Sequence, residues 1–184
     1  MKTVQTIKTV LLKSIFMGLL AITAMSCSKD DEEIPEAEED IALEDISFKI
    51  ELIKMRLTED GEANGAIEVF GDISTSLVMG TTDETVILWS RTVDQTVSLD
   101  VDESDTPVGG ETTFTISSAD LEESSVIVEG KLREDDGGVG FTTALGEESS
   151  TFSLSLITGT QEYKLIFSDS PNEEVELTYS ITRL

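Results

Sequence analysis

From Ile46 to the end of the chain, apolar and polar residues alternate with a period of two. Phe48, Ile50 and Leu52 alternate with Lys49 and Glu51, and Val126, Val128 and Leu132 with Ile127, Glu129, Lys131 and Arg133. Serines separate Phe152, Leu154 and Leu156. The last segment is the clearest, with Val175, Leu177, Tyr179 and Ile181 set against Glu176, Thr178, Ser180 and Thr182. Successive side chains of a strand point to opposite faces, so each segment reads as a strand with one buried and one wet face. In the first segment the apolar parity flips, from Leu52 to Ile53, Met55 and Leu57, which predicts a bulge or a change of sheet there.

The pattern predicts about nine strands, over 47–57, 66–71, 73–79, 85–92, 95–101, 111–117, 125–133, 150–157, 161–168 and 174–183, the second and third being halves of one. Turn signals separate them at Asp60-Gly61, Asn64-Gly65, Pro107 with Gly109-Gly110, Gly137-Gly138 and Ser170-Pro171-Asn172. No helical period is sustained after the first 27 residues. Short strands without helices predict an all-β domain, a single antiparallel β-sandwich, Ig-like or C2-like, of about eight to nine strands over 46–184. With one cysteine in the chain no internal disulfide can form, so the hydrophobic core must hold the domain unaided.

If the strands run alternately up and down, with 66–79 as one, the connections at Asp83-Glu84, at 102–105, at 134–136 and at 169–172 converge on one end. Calcium takes six to eight oxygens, mixing carboxylates with backbone carbonyls, and flexible loops supply that geometry. Asp83, Asp102, Asp105, Asp135, Asp136 and Asp169 are therefore candidate Ca²⁺ ligands. C2-like sandwiches bind calcium at one pole in this way, although Asp100-Val101-Asp102 is the one Asp-x-Asp pair here. The alternative is a set of carboxylates in solvated turns. Trp89, the sole tryptophan, shares a strand parity with Ile87, opposite Val86 and Leu88, so one of these pairs is expected in the core and the other outside. The serines and threonines at 112–115 and 149–155 read as outer faces of exposed sheets, with a glycan-contacting surface as the other reading.

The first 26 residues follow another pattern. Lys2, Lys8 and Lys13 precede an uninterrupted, mostly apolar run from Ser14 to Met25 (SIFMGLLAITAM), which matches the charged and apolar regions of a secretory signal. The run is well short of the ~20 residues that cross a bilayer as a helix. Small residues at Ala24 and Ser26 stand before Cys27, the only cysteine, and Ser28-Lys29-Asp30-Asp31-Glu32-Glu33 follows it. The stretch resembles a bacterial lipobox, with Ala24 where leucine is commonest. The resemblance implies that Cys27 carries a diacylglyceryl thioether and, after cleavage, an acyl chain such as palmitate on its amino group. More than one chain is needed for stable anchoring, each buried CH₂ adding about 0.8 kcal/mol. The residues Ser28, Lys29, Asp30, Asp31, Glu32 and Glu33 are similar to the export signal of Bacteroidota surface lipoproteins. That resemblance implies an outer-membrane protein facing the medium. Residues 27–45 are then the lipidated cysteine and an acidic tether: ten acids and one lysine lie between 29 and 45, and self-repulsion predicts that they stay extended and disordered.

Within the domain, Ala66-Ile67-Glu68-Val69-Phe70-Gly71, Leu88-Trp89-Ser90-Arg91, the stretch from Leu121 to Leu132 and Glu176-Leu177-Thr178-Tyr179 resemble β-sandwich domains of Bacteroidota lipoproteins, some of them associated with thiol-activated cytolysin-like proteins. The undecapeptide of classical cytolysins is missing and the chain is too short for a pore-forming core. The resemblance implies an accessory or adhesive module.

Charge narrows the function further. With 38 acidic residues, 12 basic ones and no histidine, the formal charge is −26. Only eight basic residues lie beyond position 45, which excludes general affinity for nucleic acid. Lack of histidine removes Ser-His-Asp, Cys-His and His-zinc chemistry. A carboxylate-based glycosidase is the one enzymatic reading left, and no carboxylate pair stands out for it. The sequence thus predicts a lipid-anchored, surface-exposed, non-catalytic binding or adhesion module with a protein or glycan ligand, or else an accessory partner of a cytolysin-like or secretion system.

Overall fold

The alternating segments pair into two antiparallel sheets. The computed structural model describes residues 43–59, 65–101, 105–137 and 140–184; Cys27, the acidic run from Ser28 to Glu33, and Asp102 lie outside these. The strands are β1 (Asp45–Glu59), β2 (Ala66–Met79), β3 (Thr82–Arg91), β4 (Val97–Asp100), β5 (Thr106–Pro107), β6 (Glu111–Ser117), β7 (Ser124–Asp135), β8 (Thr142–Ser153), β9 (Thr160–Phe167) and β10 (Glu174–Arg183). Sheet A runs β5-β1-β10-β9, with β6 continuing β5 along the same edge of β1. Sheet B runs β3-β2-β7-β8, with β4 beside β2. The inward residues of both faces meet in one core, in which Phe48, Ile50, Leu77, Val128, Phe167 and Tyr179 are essentially inaccessible. This is a β-sandwich.

Several strands follow the sequence pattern closely. The register of β1 on β10 skips Ile53 between Leu52 and Lys54, the bulge that the parity flip predicts. It lets Leu52 and Met55 both face the core. β2 is continuous from Ala66 to Met79, its two expected halves joined through Gly71. At φ +135 Gly71 holds a conformation that only glycine adopts readily, and a Cβ there would lie 2.0 Å from the Lys131 carbonyl oxygen.

Three elements differ from expectation. Strand β8 begins at Thr142, well before the predicted 150, because Ala144-Leu145-Gly146 forms a bulge that breaks the alternation there. Its predicted end at 154–156 is a 3-10 turn. In β3 the register on β2 steps from Ile87 to Trp89, so Leu88 is the extra residue. Leu88 and Trp89 are consequently both buried while Ile87 is exposed, and the expected split into two parity pairs does not occur.

The third difference changes the layout of the connections. Residues 93–95 form one 3-10 turn and do not reverse the chain: β3 and β4 run in the same direction, both antiparallel to β2. The ends of β1, β4, β7 and β9 therefore share one end of the sandwich, called here the distal end. There Val101 donates its backbone N–H to the Gly65 carbonyl at 2.8 Å, and Asp169 to the Leu145 carbonyl at 2.8 Å. The β2–β3, β6–β7 and β8–β9 connections lie at the opposite end, where β1 begins.

Candidate functional site

The acidic loops come together only in part. Asp105, Asp135, Asp136 and Asp169 are at the distal end, whereas Asp83 stands in β3 opposite Val78, at the other end of the molecule. The convergence expected for it fails because the chain does not reverse at 93–95.

The distal carboxylates also have partners of their own. Asp105 accepts from the Lys54 ammonium at 2.6 Å, and this bond, with Arg56 and Lys164 near it, holds its carboxyl below the usual carboxylate range. The Asp135 side chain accepts the Gly137 N–H at 3.2 Å, closing its own turn. Asp136 accepts from the Thr143 hydroxyl at 3.1 Å. The Asp169 carboxyl lies over Gly146, where an added Cβ would come within 3.3 Å of it. Glu173 of the β9–β10 connection is buried with its Oε2 unpartnered. Among the described residues no three acidic side chains are grouped so that they could hold a metal ion.

An open concavity lies on the outer face of sheet B. Cross-strand register sets Asp72, Lys131 and Glu147 side by side on β2, β7 and β8, and in the next row Ser74, Glu129 and Ser149. These residues, with Gly130 and Glu148, line an open depression of about 540 Å³. A second depression of about 290 Å³ adjoins it through Lys131 and Glu147 and continues past Arg133, Ala144 and Gly146 to Asp169. Bulges increase local twist and bend the strand that carries them. One falls between Ile73 and Ser74 opposite β3, another between Leu132 and Arg133 opposite β8. Gly71 and Gly146, at φ +135 and +138, give the backbone the freedom for this curvature.

The chemistry of this surface is polar and charged. Lys131 pairs with Glu147, and the Ser74 hydroxyl donates to Glu129 at 3.0 Å. Asp72, Glu129 and Glu148 add acceptors beside a single lysine. Such a face suits a ligand that offers hydroxyl, amine or guanidinium groups. Sequence reasoning missed it. The alternation places Asp72, Glu129, Lys131 and Glu147 outside, but only the pairing of three strands distant in sequence makes them neighbours.

Trp89 contributes to the core and not to a ligand platform. It is 5% exposed, and the Arg91 guanidinium lies 5.9 Å from its ring centre. The expected serine and threonine faces are present: Thr113 and Thr115 are exposed on β6, and Ser149 and Thr151 on β8.

No family model and no curated protein matches the chain. Solved structures match by shape alone. A C2 domain of plant extended synaptotagmin 1 is 9% identical, with 75% of this chain and 93% of that one covered and a TM-score of 0.34. Human GIVD cytosolic phospholipase A2 is 15% identical at a TM-score of 0.35, over 76% of this chain and 16% of that one. CC2D1B, described as coordinating ESCRT-III activity in the mitotic reformation of the nuclear envelope, is 11% identical at a TM-score of 0.41, over 78% of this chain and 57% of that one.

Proposed function

We propose that this is an outer-membrane lipoprotein, anchored through Cys27 and facing the medium, whose β-sandwich is a non-catalytic binding or adhesion module. The anchor follows from the lipobox-like stretch ending at Cys27 and the acidic run after it. Without residues 1–26 the chain keeps nine basic and 38 acidic residues, a formal charge of −29, which favours cationic partners.

One observation supports the binding role most: the open depression across β2, β7 and β8, lined by Asp72, Ser74, Glu129, Lys131 and Glu147. An open, charged sheet face favours a macromolecular or polymeric ligand, since small-molecule sites are mostly enclosed and apolar. This reading does not rest on calcium, since among the described residues no three acidic side chains are grouped so that they could hold an ion. The accessory role beside a cytolysin-like or secretion system would use the same surface with a protein as its ligand.

The full chain on cells, compared with an Asp72→Asn/Glu129→Gln variant, tests the reading in pull-downs against glycans and proteins. Retention of a ligand by the native chain and its loss in the variant is the expected result. Equal retention by both would mean that the sheet B depression is not where the ligand binds.

A further inference from the structure

Strands at the border of a sheet expose unpaired backbone N–H and C=O groups, and proteins guard them with charges, proline or bulges. Most borders of this sandwich are guarded. β3 carries Asp83, Glu84 and Arg91 and a bulge at Leu88; β8 carries Glu147, Glu148 and a bulge at Leu145; β9 carries Glu162 and Lys164.

Strand β6 differs. Among the described residues it pairs with β1 alone, in unbroken register from Asp45 opposite Ser117 to Glu51 opposite Glu111. From Thr112 to Ser117 (TTFTIS) it has no charge, no proline and no bulge. Phe114 and Ile116 are fixed in the core while Thr113 and Thr115 are exposed, so its pleat is held rigid for a further strand. Rigid presentation lowers the entropy that strand addition costs.

We infer that the free edge of β6 is a docking site for an extended strand of a partner protein, uncharged at its centre and flanked by lysine or arginine. The flanks follow from charge. Glu111 stands at one end of the uncharged stretch, and Asp120, Glu122 and Glu123 follow the other. Lys49 bridges Glu51 and Glu111 at 2.8 Å each and leaves that end net acidic. A second copy of this chain is the wrong occupant. Antiparallel pairing of β6 with itself sets Glu111 of each copy beside the acidic end of the other, between chains of −26 each. The edge is distinct from the sheet B depression, and it names a partner chemistry for the binding module proposed above without depending on the lipid anchor.

Hydrogen exchange tests it on the full chain in detergent, with a short synthetic peptide of alternating threonine and valine bearing paired lysines at each end. The peptide should slow amide exchange in Thr112–Ser117 and bind at least about tenfold more weakly to Thr115→Lys or Thr113→Lys. Both positions are exposed, and unchanged melting verifies that the variants fold. A peptide of equal charge with proline in place of valine should leave β6 exchange unaltered. Absence of binding, protection confined to other strands, equal binding to the lysine variants, or equal effect of the proline peptide would each overturn the inference. A failure of membrane anchoring in cells would count against the lipoprotein reading and leave this result untouched.

Discussion

Phe167 of sheet A fills the space that Gly130 of sheet B leaves by having no side chain. A Cβ at Gly130 would lie 2.7 Å from the Phe167 Cζ and 2.8 Å from the Ile73 Cδ1. Phe167 is fully buried, where close packing of the interior limits how far its ring can yield. Gly130→Ala should therefore destabilise the domain by about 1–3 kcal/mol through overpacking. In a Phe167→Leu background the penalty should shrink, and a double-mutant cycle of denaturant unfolding measures the coupling. Equal penalties in both backgrounds would show that the two residues do not compete for space.

A second glycine acts through backbone. Gly71 meets the Lys131 carbonyl oxygen and holds φ +135, so Gly71→Ala both strains the chain and parts β2 from β7. The loss should exceed that of Gly130→Ala, with relaxation in neither the Phe167→Leu nor the Lys131→Ala background. Unfolding midpoints of these variants decide it.

Tyr179 links stability to pH in the alkaline range. Burial pushes its phenol up to about 12; the hydroxyl lacks a hydrogen bond of good geometry, and the Ser150 hydroxyl near it offsets the shift only in part. Tyr163, which packs with Tyr179 at 5.9 Å and with Phe152 at 4.2 Å between ring centres, is also raised by burial. The folded state thus holds the Tyr179 proton more tightly than the unfolded state, whose phenol titrates near 10. The stabilisation is complete below pH 10 and is lost as pH rises towards 12, at no more than about 1.4 kcal/mol per pH unit from this group. Ultraviolet titration of the folded chain should place the Tyr179 phenolate step near 12, and Tyr179→Phe should remove that step and reduce the alkaline loss of stability.

Regular alternation along the chain was legible in the sequence. The alternation from Val175 to Ile181 reappears as β10 and the parity flip after Leu52 as the bulge at Ile53, although Thr178 and Ser180, expected on the wet face of β10, are buried. Features that depend on distant pairing were hidden. Thr92 to Thr96 looked like a reversal, and only the common partner β2 reveals that β3 and β4 continue in one direction, which moves Asp83 away from the other aspartates. The start of β8 was masked by its own bulge at Leu145-Gly146. The sheet B depression needed three strands in register before Asp72, Lys131 and Glu147 became a site.

Calcium addition gives a direct check on the distal carboxylates. With no three acidic side chains grouped among the described residues, the melting temperature in EDTA and in millimolar Ca²⁺ should agree. A rise with Ca²⁺ would mean that an ion recruits them, with the unpartnered Glu173 Oε2 as the first ligand to test by Glu173→Gln.

The proposed lipid anchor at Cys27 would decide where the sandwich does its work. Metabolic labelling with an alkyne analogue of palmitate, in a bacterium that processes lipoproteins, compares the native chain with Cys27→Ala. The native chain should take up label and sediment with membranes, while the variant should do neither. An unlabelled native chain, or a Cys27→Ala variant that stays with the membrane, would contradict the lipoprotein reading.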